Sequence, residues 1–183
     1  MGVNSARHIR NLALVGFMGT GKSSVGRLAA AELGFQFLDT DELIEADAGR
    51  RISEIFAQEG EADFRERERR LIAELARENR VVISTGGGLV ANPVNLASLK
   101  THALVVCLWA TPEMIRQRTR FQSHRPLLHG EDQLATIRQL LAERGPSYRQ
   151  ADVLVNTDMR SVKEVAQQVL YQFQRARSDP PQS

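Results

Sequence analysis

Residues 16–23 read Gly16-Phe17-Met18-Gly19-Thr20-Gly21-Lys22-Ser23. The stretch fits G-x-x-x-x-G-K-[ST], a pattern typical of loops that bind nucleotide phosphates. An apolar run at 12–15 predicts a buried strand before it, and apolar residues at helical spacing follow it as far as Gly34. We therefore expect a strand, a glycine-rich loop and a helix, so that backbone N–H groups and the helix N-terminus face phosphate oxygens.

The fixed positions of this loop predict which groups would hold a nucleotide. Gly19, Thr20 and Gly21 would supply backbone N–H groups around the phosphates. Lys22 would reach the β- and γ-phosphates, and the hydroxyl of Ser23 would bind Mg²⁺. The alternative is a chance glycine turn between a strand and a helix, which the complete motif in its expected context disfavours.

Short apolar runs alternate with helical patterns along the chain. Strands are predicted at 12–15, 35–38, 81–84, 103–108 and 153–155. Helices are predicted up to 33, at 42–48, 53–59, 61–79, from 93, at 112–118, at 133–144 with an interruption at Gly145-Pro146, and from 161 to about 175. This alternation predicts an α/β fold of three layers, with helices on both faces of a five-stranded parallel sheet.

Length and composition suit one domain. The 183 residues would form a core over about 10–175, with loose ends at 1–10 and 178–183. A net charge of +2 gives no indication of a nucleic-acid partner, and no apolar run approaches the ~20 residues of a membrane span. Cys107 is the single cysteine and no signal-peptide pattern is present, so we expect a cytoplasmic protein. No apolar surface helix argues for a dimer, and a monomer is expected.

Two acidic residues, Asp39 and Asp41, follow the second predicted strand. Open α/β sheets bind ligands at the carboxyl ends of their strands. One carboxylate could hold a metal ion or its waters while the other faces a second substrate. Capping of the next helix is the alternative for either of them.

Three glycines, Gly86, Gly87 and Gly88, follow the third predicted strand. Glycine costs conformational entropy, so a run of three favours a backbone that a ligand approaches closely over a simple sharp turn.

The helix predicted at 61–79 carries many arginines. Most of them are interpreted as solvated surface charges paired with glutamates on the same helix: Arg67, Arg69 and Arg70 with Glu66, Glu68 and Glu74. Arg65 lies near the start of the helix, and the residues alone leave it open between a surface role and a binding role.

The segment at about 119–132 is polar, basic and poor in core residues. This composition predicts a mobile lid that brings an arginine such as Arg125 over a phosphate. His124 and His129 have no cysteine or carboxylate partner at a suitable spacing, so they are interpreted as loop residues rather than metal ligands.

Six stretches, in their order and spacing, resemble the shikimate kinase family: residues 16–23, Asp39-Thr40-Asp41, Gly60-Glu61 with Phe64-Arg65, Thr85-Gly86-Gly87-Gly88, Arg125-Pro126-Leu127 and Arg144-x-Pro146-x-Tyr148. The resemblance covers about residues 10–175. It departs from the family at Ser24, where a threonine is usual, although both residues carry a hydroxyl. It implies a nucleoside-monophosphate-kinase-like fold with strand order 2-3-1-4-5, and transfer of phosphate from ATP to the 3-hydroxyl of shikimate, on the route to chorismate and the aromatic amino acids.

The resemblance also implies an acceptor site for shikimate. Arg65 and Arg144 would bind its carboxylate, for which the planar guanidinium fork is suited. The backbone of Gly86, Gly87 and Gly88 would close on the ring. Asp41 would accept a hydrogen bond from a hydroxyl and orient the attacking oxygen.

On the nucleotide side, the resemblance places Mg²⁺ between Ser23 and Asp39, with Asp39 acting through water. Lys22 and Arg125 would stabilise charge on the transferring phosphoryl group. Ser24 would lie beside the phosphates, and Arg160, just after the fifth strand, would contact the base.

Other functions compete with this interpretation. A gluconate-type kinase on the same fold would also bind a carboxylate and hydroxyls, but the acidic pair, Phe64-Arg65 and the three glycines together favour shikimate. A nucleoside monophosphate kinase would need a different arginine set for its acceptor phosphate. A catalytically silent nucleotide-binding switch should lack a lid arginine or a metal ligand, and a nucleic-acid-stimulated ATPase should have a basic groove and a larger chain.

Overall fold

Five parallel strands form one sheet in the order β2-β3-β1-β4-β5, as expected. The structure is a computed structural model and describes residues 7–120 and 132–178. The strands are β1 (Asn11–Val15), β2 (Gln36–Asp39), β3 (Val81–Ser84), β4 (Ala103–Trp109) and β5 (Val153–Asn156). All five short apolar runs thus form strands, and strands that are consecutive in the sequence are joined by connections that contain helix.

Helices cover both faces of the sheet. They are α1 (Lys22–Leu33), α2 (Thr40–Ala48), α3 (Ile52–Gln58), α4 (Gly60–Leu75), α5 (Pro93–His102), α6 (Pro112–Thr119), α7 (Gln133–Tyr148) and α8 (Val162–Ser178), with a short 3₁₀ helix at Leu89–Ala91. None of the helices in the described ranges has the length and apolar character that a membrane crossing requires.

Two hydrophobic cores lie on opposite faces of the sheet. Side chains of β1 alternate between them, because successive residues of a strand point to opposite faces. Ala13 and Val15 pack with α4, α5, α6 and α7, whereas Leu12 and Leu14 pack with α1 and α8. A third, small cluster of Ile44, Ile55 and Phe64 holds α2, α3 and α4 together.

The register of the sheet brings three loops to one edge. Ser84 at the end of β3 is aligned with Leu14 of β1 and with Asp39 of β2. The phosphate loop, the acidic pair and the glycine run therefore leave the sheet side by side, at the carboxyl ends of adjacent strands where ligands bind in such folds.

The helix predicted at 61–79 ends earlier, at Leu75. Backbone N–H groups of residues 76–78 bond to its last carbonyl groups, and side chains of residues 10 and 11 bond to carbonyl groups just after the helix. Arg10 donates to the carbonyl of Ala76, and the amide nitrogen of Asn11 donates to the carbonyl of Glu78 at 2.8 Å. These tertiary hydrogen bonds have no signal in the local sequence.

The interruption predicted at Gly145-Pro146 is absent, since α7 continues to Tyr148. Pro146 lies in the last turn and has no N–H to donate within the helix, yet the helix continues for two more residues. The N–H of Arg149 then bonds to the carbonyl of Gly145 and closes the helix.

The predicted loose ends are also partly wrong. Arg7 forms an ion pair with Asp152 at 2.6 Å, and the N–H of Arg10 bonds to the carbonyl of His102. The described N-terminal residues are thus fixed to the sheet, and at the other end Ser178 still belongs to α8. Likewise Thr119, the first residue of the predicted lid, is a buried residue of α6.

Candidate active site

The phosphate loop connects β1 to α1 as the sequence predicts. Gly21 is the N-cap of α1 with φ of 91°, and Gly19 has φ of 77°, a left-handed conformation that glycine adopts without steric cost. A methyl group at Gly19 would also lie 2.7 Å from Cγ2 of Thr119. Glycine at this position therefore lets the loop pack directly against the end of α6.

Lys22 begins α1, and its side chain turns back into the loop. Its Nζ donates to the carbonyl of Phe17 at 2.9 Å, and the hydroxyl of Thr20 donates to the same carbonyl at 2.8 Å. Lys22 is largely buried. The ammonium group is thus held inside a loop of backbone N–H groups at a helix N-terminus, an arrangement suited to phosphate.

Ser23 and Asp39 meet at the carboxyl ends of β1 and β2. The hydroxyl of Ser23 donates to Oδ2 of Asp39 at 2.8 Å. The other carboxylate oxygen of Asp39 accepts the N–H of Asp41 and caps α2. Asp39 can therefore serve both roles expected from the sequence. Oδ1 caps α2, and Oδ2, beside Ser23, is the oxygen placed for a metal ion.

Asp41 lies against the glycine run. A methyl group at Gly86 would be 2.6 Å from Oδ1 of Asp41, so a larger residue would displace the carboxylate. The N–H of Gly86 donates to the hydroxyl of Thr40, which is wholly buried, at 2.9 Å. Thr40 was given no role from the sequence, and it locks the acidic pair to the glycine run.

Arg65 reaches the same glycine run from α4. A methyl group at Gly88 would lie 2.9 Å from its Nη1. The guanidinium also donates to Glu68 at 2.8 Å and to Glu61 at 2.9 Å. Two carboxylates on its own helix hold Arg65 beside the glycines, so its guanidinium borders the glycine run.

Glu68 corrects the surface interpretation of this helix, because its side chain is 1% exposed. Burial raises the pKa of Glu68, and the hydrogen bond from Arg65 opposes that effect. A signal was available: Phe64, Glu68 and Ile72 are four residues apart, so all three share the buried face of α4. Arg67 also departs from the expected pairing and bonds to Asp63 and Glu59.

Arg144 approaches the glycines from α7. A methyl group at Gly87 would be 3.8 Å from Nη1 of Arg144 and 3.3 Å from the backbone nitrogen of Met18. The guanidinium carbon also lies 5.7 Å from the ring centre of Phe17 in a cation–π contact. Gly87 is therefore the point where the phosphate loop, the glycine run and α7 meet.

Arg118 is a further residue that sequence reasoning missed. It donates to the carbonyl of Gly19 at 3.4 Å and to the hydroxyl and carbonyl of Thr157 at 2.9 and 2.6 Å. It thus joins the phosphate loop to the segment after β5. The arginine-rich sequence of α6 does not distinguish it from its neighbours.

Two predicted residues are not brought into this cluster, and a third lies outside the described residues. Arg125 and the core of the predicted lid, with His124 and His129, lie outside the described residues. Arg160 is exposed after β5 and donates to Gln168 of α8. Ser24 is exposed on the first turn of α1.

Comparison with known proteins bears on the whole of this arrangement. A family model described as shikimate kinase matches residues 18–174. The shikimate kinase of Thiobacillus denitrificans is 48% identical over 162 residues, covering 88% of this chain and 88% of that protein. That of Symbiobacterium thermophilum is 46% identical over 167 residues, covering 90% and 96%.

A solved structure agrees with these relatives. Shikimate kinase from Acinetobacter baumannii, in complex with shikimate, is 37% identical and has a TM-score of 0.88, covering 94% of this chain and 97% of that one. The matched span runs from the phosphate loop to α8 and includes the acidic pair, Arg65, the glycine run and Arg144. Since family model, sequence relatives and fold agree over nearly the full length, the chain belongs to the shikimate kinase family.

Proposed function

We propose that this chain transfers the γ-phosphate of ATP to the 3-hydroxyl of shikimate, giving ADP and shikimate 3-phosphate. The observation that supports this most directly is the meeting of two sites at Gly87. A methyl group at this glycine would lie within 4 Å of both the phosphate loop and Arg144. An acceptor bound by Arg144 and Arg65 would therefore lie next to the terminal phosphate of a nucleotide in the loop.

The charges of the acceptor side suit shikimate. Its single carboxylate would bind the guanidinium groups of Arg65 and Arg144, which approach the glycine run from α4 and α7. Its hydroxyl groups need acceptors, and Asp41 offers a carboxylate beside Gly86. We propose that Asp41 orients the attacking hydroxyl and accepts its proton as the new O–P bond forms and the bond to the β-phosphate oxygen breaks.

The donor side suits ATP with Mg²⁺. Ser23 and Asp39 present adjacent oxygen atoms next to the phosphate loop, the ligand type that Mg²⁺ prefers. In the described ranges no group of three or more His, Cys, Asp or Glu side chains could hold a metal. An ion held by Ser23 and Asp39 would neutralise phosphate charge.

Other residues of the donor side are assigned by the motif and the family resemblance. Lys22 would stabilise negative charge on the transferring group, and Arg125 would do the same from the lid. Ser24 would lie beside the phosphates and Arg160 near the base. We propose that the enzyme acts as a cytoplasmic monomer in the synthesis of chorismate.

The test is release of ADP from ATP in the presence of Mg²⁺, with shikimate, gluconate, AMP or no acceptor. The proposal predicts turnover with shikimate and only background release in the other three reactions. Turnover with gluconate alone would keep the phosphate loop and reject the acceptor site. Equal ADP release in all four reactions would reject the kinase function altogether.

A further inference from the structure

The hydroxyl of Tyr148 holds the backbone of the acceptor site. Tyr148 is the last residue of α7, and its Oη donates to the carbonyl oxygen of Gly87 at 2.5 Å. The side chain is 7% exposed, so the hydroxyl has little access to water as an alternative partner. A buried hydrogen bond of this kind restricts the peptide group that it binds.

The N–H of Leu89 bonds to the carbonyl of Gly86 at 3.2 Å and closes a turn, but this bond does not directly hold the central peptide between Gly87 and Gly88. Neither residue has a Cβ, so steric limits on rotation of this peptide are weak. In a planar trans peptide the C=O and N–H point in opposite directions. Anchoring the carbonyl of Gly87 on Tyr148 therefore directs the N–H of Gly88 away from α7.

Tyr148 is also next to the carboxylate-binding arginine. Arg144 lies four residues earlier on α7, on the same face of the helix. Burial raises the pKa of Tyr148 to about 12, while the charge and hydrogen bonding of Arg144 oppose that rise. The hydroxyl consequently keeps its proton at physiological pH and can serve as a permanent donor to Gly87.

We propose that Tyr148 is a positioning residue of the acceptor site, whose hydroxyl fixes the Gly87–Gly88 peptide and couples it to Arg144. This inference rests on the proposed function. Tyr148 would orient the Gly87–Gly88 peptide and the guanidinium of Arg144 toward the acceptor carboxylate. It would not contact the reacting atoms. Loss of the hydroxyl should weaken binding of shikimate and leave the nucleotide side intact.

The first test is Tyr148→Phe, which removes the hydroxyl and keeps the ring. The variant should raise KM for shikimate about tenfold, the size expected for one buried hydrogen bond, and change KM for ATP less than about twofold. The matched control is Tyr171→Phe on α8, where the exposed ring lies on the opposite face of the sheet. The control should leave both constants unchanged.

The outcomes separate the inference from the function it rests on. An unchanged KM for shikimate in Tyr148→Phe, or equal rises in both KM values, would overturn the positioning role. A wild-type protein without turnover of shikimate would reject the proposed function, and the inference with it.

A second measurement applies even if Tyr148→Phe does not fold. The chain contains two tyrosines, so protein labelled with 3-fluorotyrosine gives two ¹⁹F signals, and Tyr171→Phe identifies the one from Tyr148. Saturating shikimate should shift the Tyr148 signal and leave that of Tyr171 in place. No shift of the Tyr148 signal at a shikimate concentration that saturates turnover would overturn the proposal.

Discussion

Nη1 of Arg65 donates to Oε2 of Glu68 at 2.8 Å, and the two residues lie one helical turn apart on α4. Glu68 is almost wholly buried, whereas the Arg65 side chain is 32% exposed. Glu68 is therefore the fixed, buried partner, and Arg65 is the partner whose guanidinium can reach a ligand. Such an arrangement serves orientation of the arginine more than stability, because a buried ion pair carries a large desolvation cost.

Replacement of Glu68 should separate binding from stability. Glu68→Gln keeps the shape and one acceptor but removes the charge that anchors Arg65. We expect KM for shikimate to rise about tenfold while KM for ATP stays within about twofold. Steady-state kinetics with each substrate varied in turn measures this, and Glu66→Gln on the exposed face is the control. Unchanged shikimate kinetics would mean that Arg65 does not depend on Glu68.

The pH dependence of stability should change with the same variant. Because burial raises the pKa of Glu68, the folded protein holds this proton more tightly than the unfolded chain does. Its contribution to stability thus increases as the pH falls through the folded pKa toward the ordinary value. At pH 7 Glu68→Gln should melt at the same temperature as the wild type or higher. A Tm lower by more than a few degrees would show that the ionised pair is stabilising.

Removal of Arg65 should affect one substrate selectively. Arg65→Ala is expected to weaken shikimate binding about 30- to 100-fold, since a charge-assisted hydrogen-bond pair is lost, with little effect on ATP. Arg65→Lys, which keeps the charge but not the planar fork, should lose less of the affinity for shikimate than Arg65→Ala does. Isothermal titration with each ligand measures both. The control is Arg69→Ala, whose exposed partner is Glu66; equal losses for shikimate and ATP in Arg65→Ala would argue against the carboxylate role.

The lid arginine should act on the chemical step. Arg125→Ala is expected to lower kcat about 10³-fold with a smaller change in KM for shikimate, because the guanidinium would meet charge that develops on the transferring group. Single-turnover rates with ATP and saturating shikimate measure this directly. Arg116→Ala, on α6, is the control. A kcat equal to that of the wild type would remove Arg125 from the mechanism.

Stability in acid should depend on His102, far from the site at the opposite end of β4. The ring is buried, Nδ1 lies 2.9 Å from Nδ2 of Asn11, and burial, with the charges of Arg10 and Arg7, lowers the pKa of His102 to about 4. The folded state thus binds this proton less readily than the unfolded chain. Stability should be complete above pH 6.5, fall by on the order of 1 kcal/mol at pH 5.5, and fall further toward pH 4.

Thermal unfolding between pH 8 and pH 5 tests this prediction. His102→Gln should flatten the decline of Tm with falling pH, because the titrating group is gone. His8→Gln, a change at an exposed histidine, should keep the wild-type slope. Parallel slopes in all three proteins would show that another group controls acid stability.

Most of the fold could be predicted because its signals are local. The phosphate loop and the five apolar runs need only their own neighbourhood to specify them. The end of α4 could not be placed, and the carbonyl groups just after it bond to Arg10 and Asn11, more than sixty residues away in the sequence. The continuation of α7 past Pro146 could not be predicted either, because proline ordinarily interrupts a helix.

The members of the site could be predicted where they belong to recognisable sequence motifs. Asp39, Asp41, Arg65 and the three glycines carry recognisable patterns, and the structure brings them together. Thr40, Arg118 and Tyr148 act through hydrogen bonds to backbone carbonyls or N–H groups of other elements. Such partners depend on the tertiary arrangement. Thr40 and Tyr148 belong to stretches that resemble the family, but those stretches do not identify their partners, and the burial of Glu68 had a signal in its spacing along the helix.

The central claim is that phosphate passes from ATP to the 3-hydroxyl of shikimate at this site. The measurement that tests it most directly is a ¹H–³¹P correlation spectrum of the product made by the wild-type protein, with Lys22→Met as the inactive control. The account predicts one phosphate resonance coupled to the ring proton at carbon 3, and no such product from Lys22→Met. A phosphate coupled to another ring proton, inorganic phosphate as the sole product, or equal product from Lys22→Met would contradict it.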